Sequence, residues 1–442
     1  MSFLKYPAHK DSGVNWLGDV PAHWDIKKFR YVFDESPEKI TEEVLGDMLS
    51  VSGYRGIEVK QYDDEGRRRT DDELIGYRIV RPGQLVVNTM WLNYAGLGVS
   101  EYEGHVSPAY RSYWIDSEMD KRFIHHLMRS GTYVQGYTRL LTGIRPNSLQ
   151  MGRDDLMVFP VLLPTKPEQT QIARFLDHET GRIDALIQEQ QRLIELLKEK
   201  RQAVISHAVT KGLDPAMPMK DSGVEWLGEV PAHWVVSRAK LVSDIFVPQR
   251  NKPELNDSEG IAWVTMEDMN GGYISATNLK VTELAADEAG SKVLKKGAVI
   301  ASCVGRFGIV AINAVDVVIN QQLQAFEPRK IKAEYLRNIV SISKEYFELI
   351  GTAATLVYVN QQGFENLPVL IPSVSEQESI CLYVEEANAR FDALLSQSFE
   401  SIQLLQERRS ALISAAVTGK IDVRGWQQLA SAPTPKLAQE AV

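Results

Sequence analysis

Cysteine is nearly absent: Cys303 and Cys381 are the two in 442 residues, too few for a disulfide framework and not spaced as a Cys-x-x-Cys pair. A reducing, cytoplasmic setting is therefore expected. No apolar run reaches membrane-spanning length, and residues 1–10 carry Lys5, Pro7 and His9 where a leader would be apolar, so neither a membrane partner nor a signal peptide is expected. There is no Gly-x-x-x-x-Gly-Lys loop to cradle ATP and no Gly-x-Gly-x-x-Gly after a strand to hold a dinucleotide. Excess positive charge is also missing, since 49 Lys and Arg face 58 Asp and Glu for a net charge of −9. That balance excludes an indiscriminate polyanion binder and confines any nucleic-acid site to local patches. An apolar fraction of 44% is ordinary for a globular chain, and the length implies more than one core.

What is present is a duplication. Residues 10–24, from Lys10-Asp11-Ser12-Gly13 to Pro21-Ala22-His23-Trp24, return 210 positions later as 220–234 with only Asn15/Glu225 and Asp19/Glu229 differing. A second pair, 164–187 and 372–395, recurs at 208 positions, while the intervening stretches have diverged. Constant frames with divergent contents describe a scaffold carrying two different readers.

From Glu168-Gln169 after Pro164, and from Glu376-Gln377 after Pro372, the sequence predicts a long helix ending at Gly212 or Gly419. Ile187, Gln190, Ile194, Leu197, Arg201, Val204 and Ala208 step by threes and fours, a heptad seam. Leu395, Ser398, Ile402, Leu405, Arg409, Leu412 and Ala416 follow the same pattern 208 positions on, polar interruptions included. Two helices packed together would keep such a correspondence to hold register; two amphipathic helices each docked on its own domain are the alternative. Such helices would be about 60 Å long. Residues 5–24 resemble what should follow Asp422, so the pattern is circular, and helices related by a two-fold axis across them must run antiparallel.

The expected architecture is mixed α/β (α+β): two domains in a pseudo-two-fold arrangement, separated by two long antiparallel coiled-coil helices. The expected segments are an N-terminal domain at 1–163, a spacer helix at 164–212, a C-terminal domain at 213–371, a second spacer helix at 372–424 and a disordered tail at 425–442.

Residues 121–153 hold Lys121, Arg122, Arg129, Arg139, Arg145 and Arg153 with Phe123, Tyr133 and Tyr137, but no acid until Asp154. Residues 289–315 carry Lys292, Lys295, Lys296 and Arg306, again without acid. Clustered cations neutralise phosphates, although a solvated basic face would read the same. Base edges are read by Arg, Asn, Gln and Thr on loops. Candidates are Asn88, Thr89, Trp91, Asn93, Tyr94, Arg139, Arg145 and Asn147 in the first domain, and Arg306, Phe307, Asn320, Gln321, Gln322, Asn360, Gln361 and Gln362 in the second.

Catalytic signals are sparse. Asp47 with Glu58-Val59-Lys60 imitates a Mg-dependent nuclease set, but nothing matches it in the second copy. His23 and His233 lack ligand-spaced partners and suit packing or capping. No catalytic or metal residue is therefore expected.

Taken together, the two divergent domains, the repeated Trp-Leu-Gly-x-Val-Pro-x-His-Trp, and the helix entries from Pro164 to Glu168-Gln169 and Pro372 to Glu376-Gln377 resemble the specificity (S) subunit of a type I restriction-modification system. The similarity covers nearly the whole chain and includes a Gly-x-x-Gly-Ile-Val stretch at 305–310 before Asn320-Gln321-Gln322; the first copy has Ser107-Pro108-Ala109-Tyr110 in that place. The resemblance implies a non-catalytic chain that reads a bipartite, asymmetric double-stranded DNA target, one half per target recognition domain. It implies two modification subunits using S-adenosylmethionine and restriction subunits using ATP and Mg, with no cofactor in this chain. A specificity component of another restriction type, the nuclease and a scaffold that does not read DNA are the alternatives.

Overall fold

The computed structural model describes residues 4–53, 55–62, 69–143, 149–269, 271–353 and 357–428. Two compact units emerge, one formed by 1–190 with 400–442 and the other by 191–399. These units cut across the expected segment boundaries. Each takes one α/β domain, part of the first long helix and part of the second, because the helices pair along their sides and each half packs with its local domain.

Both units are built alike. Each domain opens on a repeated hairpin, His9–Asp11 with Asp19–Pro21 in the first and Met219–Asp221 with Glu229–Pro231 in the second. Gly13, Gly18, Gly223 and Gly228 supply left-handed turns there. The strand that follows, Asp25–Lys28 or Val235–Arg238, pairs antiparallel with the strand just before the long helix, Pro160–Leu163 or Pro368–Ile371. In the first domain a sheet runs Phe33–Glu35, Tyr110–Ile115, Leu85–Asn88, Leu97–Val99; in the second the same order is Ser243–Phe246, Leu323–Pro328, Val299–Ser302, Val310–Asn313, extended by a fifth strand, Tyr273–Ile274. Each domain also holds a parallel pair, Asp47–Ser52 with Gly104–Val106 and Ile261–Val264 with Val317–Ile319. The stretches that diverged in sequence thus share a four-strand order and a parallel pair, since alternating apolar residues and turns specify a sheet without specifying its surface.

The long helices span Lys166–Lys211 and Val374–Val417. In the first unit Arg409 grips Asp184 (Nε to Oδ1 2.9 Å, Nη2 to Oδ2 3.3 Å), and Gln171 donates to the carbonyls of Val423 and Trp426. In the second unit Arg201 bonds Asp392 at 2.8 Å and Asn388 at 2.7 Å, while Val209 and Ile380 share a core. Contacts that advance along one helix retreat along the other, so the pairing in each unit is antiparallel. Arg201 and Arg409 are two of the four polar interruptions of the heptads, and both serve as cross-helix clamps. Of the seam positions, Ile187, Ile194 and Leu197 are buried, while Val204, Leu395, Ile402, Leu405 and Leu412 are partly buried.

The repeated residues tie helix to domain twice over. Gln169 accepts a bond from Asp120 N at 2.8 Å and donates to the Pro164 carbonyl at 2.9 Å. Gln377 does the same with Lys332 N and the Pro372 carbonyl, at 3.0 and 3.1 Å. The first helix's Glu168 accepts from Tyr6 at 2.6 Å and pairs with His23 at 2.9 Å; Glu376 pairs with His233 at 2.7 Å and accepts from Trp234 at 3.1 Å. The histidines therefore do have carboxylate partners, contributed by the other repeat. Burial would raise the Glu376 carboxyl, but hydrogen bonds from Ser373, His233 and Trp234 outweigh it and hold the group well below the usual carboxylate range.

The circular pattern takes physical form in the first unit. Asp422 N donates to Leu4 O at 2.8 Å, Arg424 lies over the Tyr6 ring, and Trp426 packs edge-on against Phe175. This corrects the expected disorder for residues 425–428, because the Trp426 ring gains an apolar contact; the rest of the expected tail lies outside the described residues.

Candidate nucleic-acid interface

The same corner of each domain gathers the candidate reading loops. In the first, strand Leu85–Asn88 leads into a loop at 89–96, the turn at 107–110 starts the neighbouring strand with Tyr110 opposite Asn88, and Met151 N closes a third segment onto Thr89 O at 3.1 Å. In the second, Val359 N donates to Cys303 O at 3.0 Å, Cys303 N to Gln322 O at 2.9 Å, and Val304 bridges Tyr358. Three loops distant in sequence are thus pinned together by backbone bonds in both domains.

The side chains at these corners differ in how free they are. Trp91 and Tyr94 project into solvent at 54% and 60% exposure, with rings edge-to-face 6.0 Å apart. Arg139 and Arg306 are exposed. Asn88 is buried and accepts from Met90 N at 3.2 Å, so it shapes the loop. Thr89 and Asn93 are partly buried, and Asn93 Oδ1 is enclosed without a hydrogen-bond partner. Arg145 and Asn147 lie outside the described residues. Asn320 and Gln322 bond each other at 3.3 Å, and Gln321 donates to the Gln249 carbonyl at 2.9 Å. Asn360 caps the helix Gln361–Glu365 by accepting from Gly363 N, and Gln361 donates to Glu365 at 2.8 Å. Gln362 is exposed beside a cleft of about 300 Å³ formed with Tyr346, Ile350, Tyr358 and Val359.

Two expectations are corrected here. Phe307 is a core residue, 5% exposed and packed on Phe347 at 5.8 Å, because its apolar neighbours leave no path to solvent. Within the basic stretch Phe123, Tyr133 and Tyr137 are fully buried, and three of its five described cations, Arg122, Arg129 and Arg153, are already committed. Arg122 pairs with Asp177 at 2.9 Å and Arg153 with Glu35 at 3.3 Å. Arg129 donates to the carbonyls of Ser52, Gly53, Ala95 and Leu97. Lys295 in the second stretch pairs with Asp316 at 2.8 Å. Local absence of acid in sequence did not mean absence of acid in space.

Sequence reasoning missed Arg129 as a structural clip, and it missed Tyr358 beside the second reading corner. A signal for Tyr358 existed: it immediately precedes Val359-Asn360-Gln361-Gln362, where an exposed aromatic on a polar loop is a stacking candidate. A cleft of about 630 Å³ lies elsewhere in the second unit and mixes Glu334, Glu385 and Asp392 with Arg201 and Arg337. That mixed lining does not suit a polyanion.

The nuclease set fails on geometry. Glu58 pairs with Arg55 and sits opposite Ser50, three residues along the strand from Asp47, and no group of three or more possible metal ligands occurs among the described residues.

Residues 231–402 match the family model of the type I restriction modification DNA specificity domain. The chain is 22% identical over 317 residues to the type I restriction enzyme StySPI specificity subunit of Salmonella potsdam, and 21% over 323 residues to the EcoKI specificity subunit of Escherichia coli K12. Each alignment takes in 69% of this chain and 66% of the relative, so the chain spans just under two thirds of their length. Among solved structures, a chain of the type I R-M system superposes with a TM-score of 0.68 at 16% identity, covering 90% of this chain and 98% of that one. The HsdS subunit from Thermoanaerobacter tengcongensis gives 0.50 at 15% identity, with 91% and 98% covered.

Proposed function

Because the chain belongs to the specificity subunits of type I restriction-modification systems, we propose that it reads a bipartite, asymmetric DNA sequence without catalysing any reaction. One half-site is assigned to each domain. Methylation then comes from modification subunits carrying S-adenosylmethionine, and cleavage from restriction subunits using ATP and Mg, with no cofactor bound by this chain.

The observation that carries this reading is one four-strand order with two different corners. Where the first domain presents Trp91, Tyr94 and Arg139, the second presents Arg306, Gln322 and Gln362, and the turn at 107–110 is replaced by Asn320-Gln321-Gln322. A fold kept constant while its loop chemistry changes suits two different base sequences. Support for two copies of one modification partner comes from exposed leucines that recur with the repeat: Leu186 and Leu394 at 45% and 46% exposure, Leu196 and Leu404 at 51% and 58%. Identical partners need equivalent apolar faces.

Methylation motif calling tests this in cells lacking the chain, expressing it, or expressing it with residues 236–369 exchanged for another member's domain. One bipartite motif should appear with the chain, and the exchange should rewrite one half only. A motif unaffected by the chain, or both halves changing together, would overturn the reading.

A further inference from the structure

The loop at 89–96 is built more rigidly than a contact loop requires. Trp91 N bonds Asn88 O at 3.0 Å, Tyr94 N bonds Trp91 O at 3.0 Å, and Gly96 N bonds Trp91 O at 2.8 Å. Ala95 holds φ of 54°, the only positive value at a non-glycine position among the described residues. A side chain at Gly96 would meet the Trp91 carbonyl at 2.6 Å, so the chain closes on itself there. Arg129 then fastens the far side, bonding the Ala95 and Leu97 carbonyls at 3.0 and 2.5 Å. On this frame stand two exposed aromatic rings in edge-to-face contact. Burying them in the core would have been favourable, and holding them outward is costly unless something covers them.

We propose that Trp91 with Tyr94 forms a preorganised wedge that enters between two base pairs of the half-site read by the first domain and unstacks that step. The proposal rests on the DNA reading above and adds a deformation that direct base contacts do not require. Inserted apolar side chains kink duplexes at deformable steps, so the wedge reads sequence through stiffness as well as hydrogen bonding. A rigid loop suits this role, because a flexible one would fold back when meeting stacked bases. Among the described residues the second domain offers no such pair of rings: its corresponding loop has Gly305 and Arg306, with the Phe307 ring turned into the core against Phe347, and Tyr358 stands alone as the exposed aromatic of that corner. Exposed aromatics could instead meet a protein, but the loop is pinned beside the 107–110 turn and the segment ending at Met151, the same corner that carries Arg139.

The test uses the full chain with its modification partner and a duplex of the motif obtained by methylation calling, with 2-aminopurine replacing each adenine in turn. Fluorescence should rise at one step of one half-site on binding. Trp91→Ala should abolish that rise and weaken binding on the order of tenfold or more, the scale of a lost base–aromatic stack. Trp91→Phe should restore both. A rise that survives Trp91→Ala belongs to base extrusion by the modification partner and overturns the wedge. Salt-dependent binding with silent 2-aminopurine at every position overturns the wedge and leaves the DNA reading standing. Absence of salt-dependent binding by the unaltered complex overturns both.

Discussion

Arg129 shows how much one side chain can hold. Its guanidinium serves four backbone carbonyls from two loops, and burial followed by repulsion from Arg409 brings its pKa down only to about 10, so it stays charged at neutral pH. Arg129→Met would leave those carbonyls short of donors and should cost about 3 kcal/mol, read from urea unfolding. Loss of less than ~1 kcal/mol would mean that water replaces the clip. One turn earlier, His125 accepts from Val99 N through Nδ1 at 3.3 Å. Burial, then the charge of Arg129, pushes its pKa from 6.5 down to about 3. In that window the unfolded chain binds a proton that the folded chain refuses, so stability falls as pH drops below 6.5 and continues to fall until about 3. The expected slope is about 1.4 kcal/mol per pH unit from this group. His125→Gln should flatten that limb, and an unchanged pH profile would show that His125 titrates freely.

At the scale of elements, the two long helices end by the same device with different tolerances. Gly419 has φ of 72° and a Cβ there would sit 2.3 Å from Pro21; Gly212 has φ of 78° but its nearest neighbour, Trp234, would be 3.3 Å away. Gly419→Ala therefore combines left-handed strain with collision and should cost about 3 kcal/mol, whereas Gly212→Ala should cost about 1 kcal/mol. Thermal melts of the two variants check the order, which reverses only if the hairpin at Pro21 yields. The Asp184–Arg409 clamp is only partly shielded, at 35% and 21% side-chain exposure. Its coupling in a double-mutant cycle should be about 1 kcal/mol after solvent screening. Asp184→Arg and Arg409→Asp should each destabilise, and the double swap should recover most of the loss. Additive losses would show that the pair does not help register.

The whole molecule consists of two units with separate cores, and the chain ends belong to the first. Ending the chain at Lys420 removes the Asp422–Leu4 bridge, the buried Val423 and the Trp426 contact with Phe175. That truncation should destabilise the first unit by about 3 kcal/mol while leaving the second unchanged. Hydrogen exchange resolved by unit measures this; equal loss in both would show that they unfold as one.

Duplication, helix extent, heptad period and the mixed α/β class are local or repeated properties, so the amino-acid sequence determined them unaided: the apolar steps from Ile187 to Val204 need no knowledge of distant residues. Tertiary structure alone decided which polar side chains are available. Gln321 is tied to a carbonyl 72 residues away, Arg129 to carbonyls as far as 77 residues away, and His23 to a glutamate 145 residues away. A polar residue and its hydrogen-bond partner have no fixed sequence separation outside helices and turns. Whether such a side chain reads a ligand or is spent inside the fold is therefore settled only when the chain brings distant segments together.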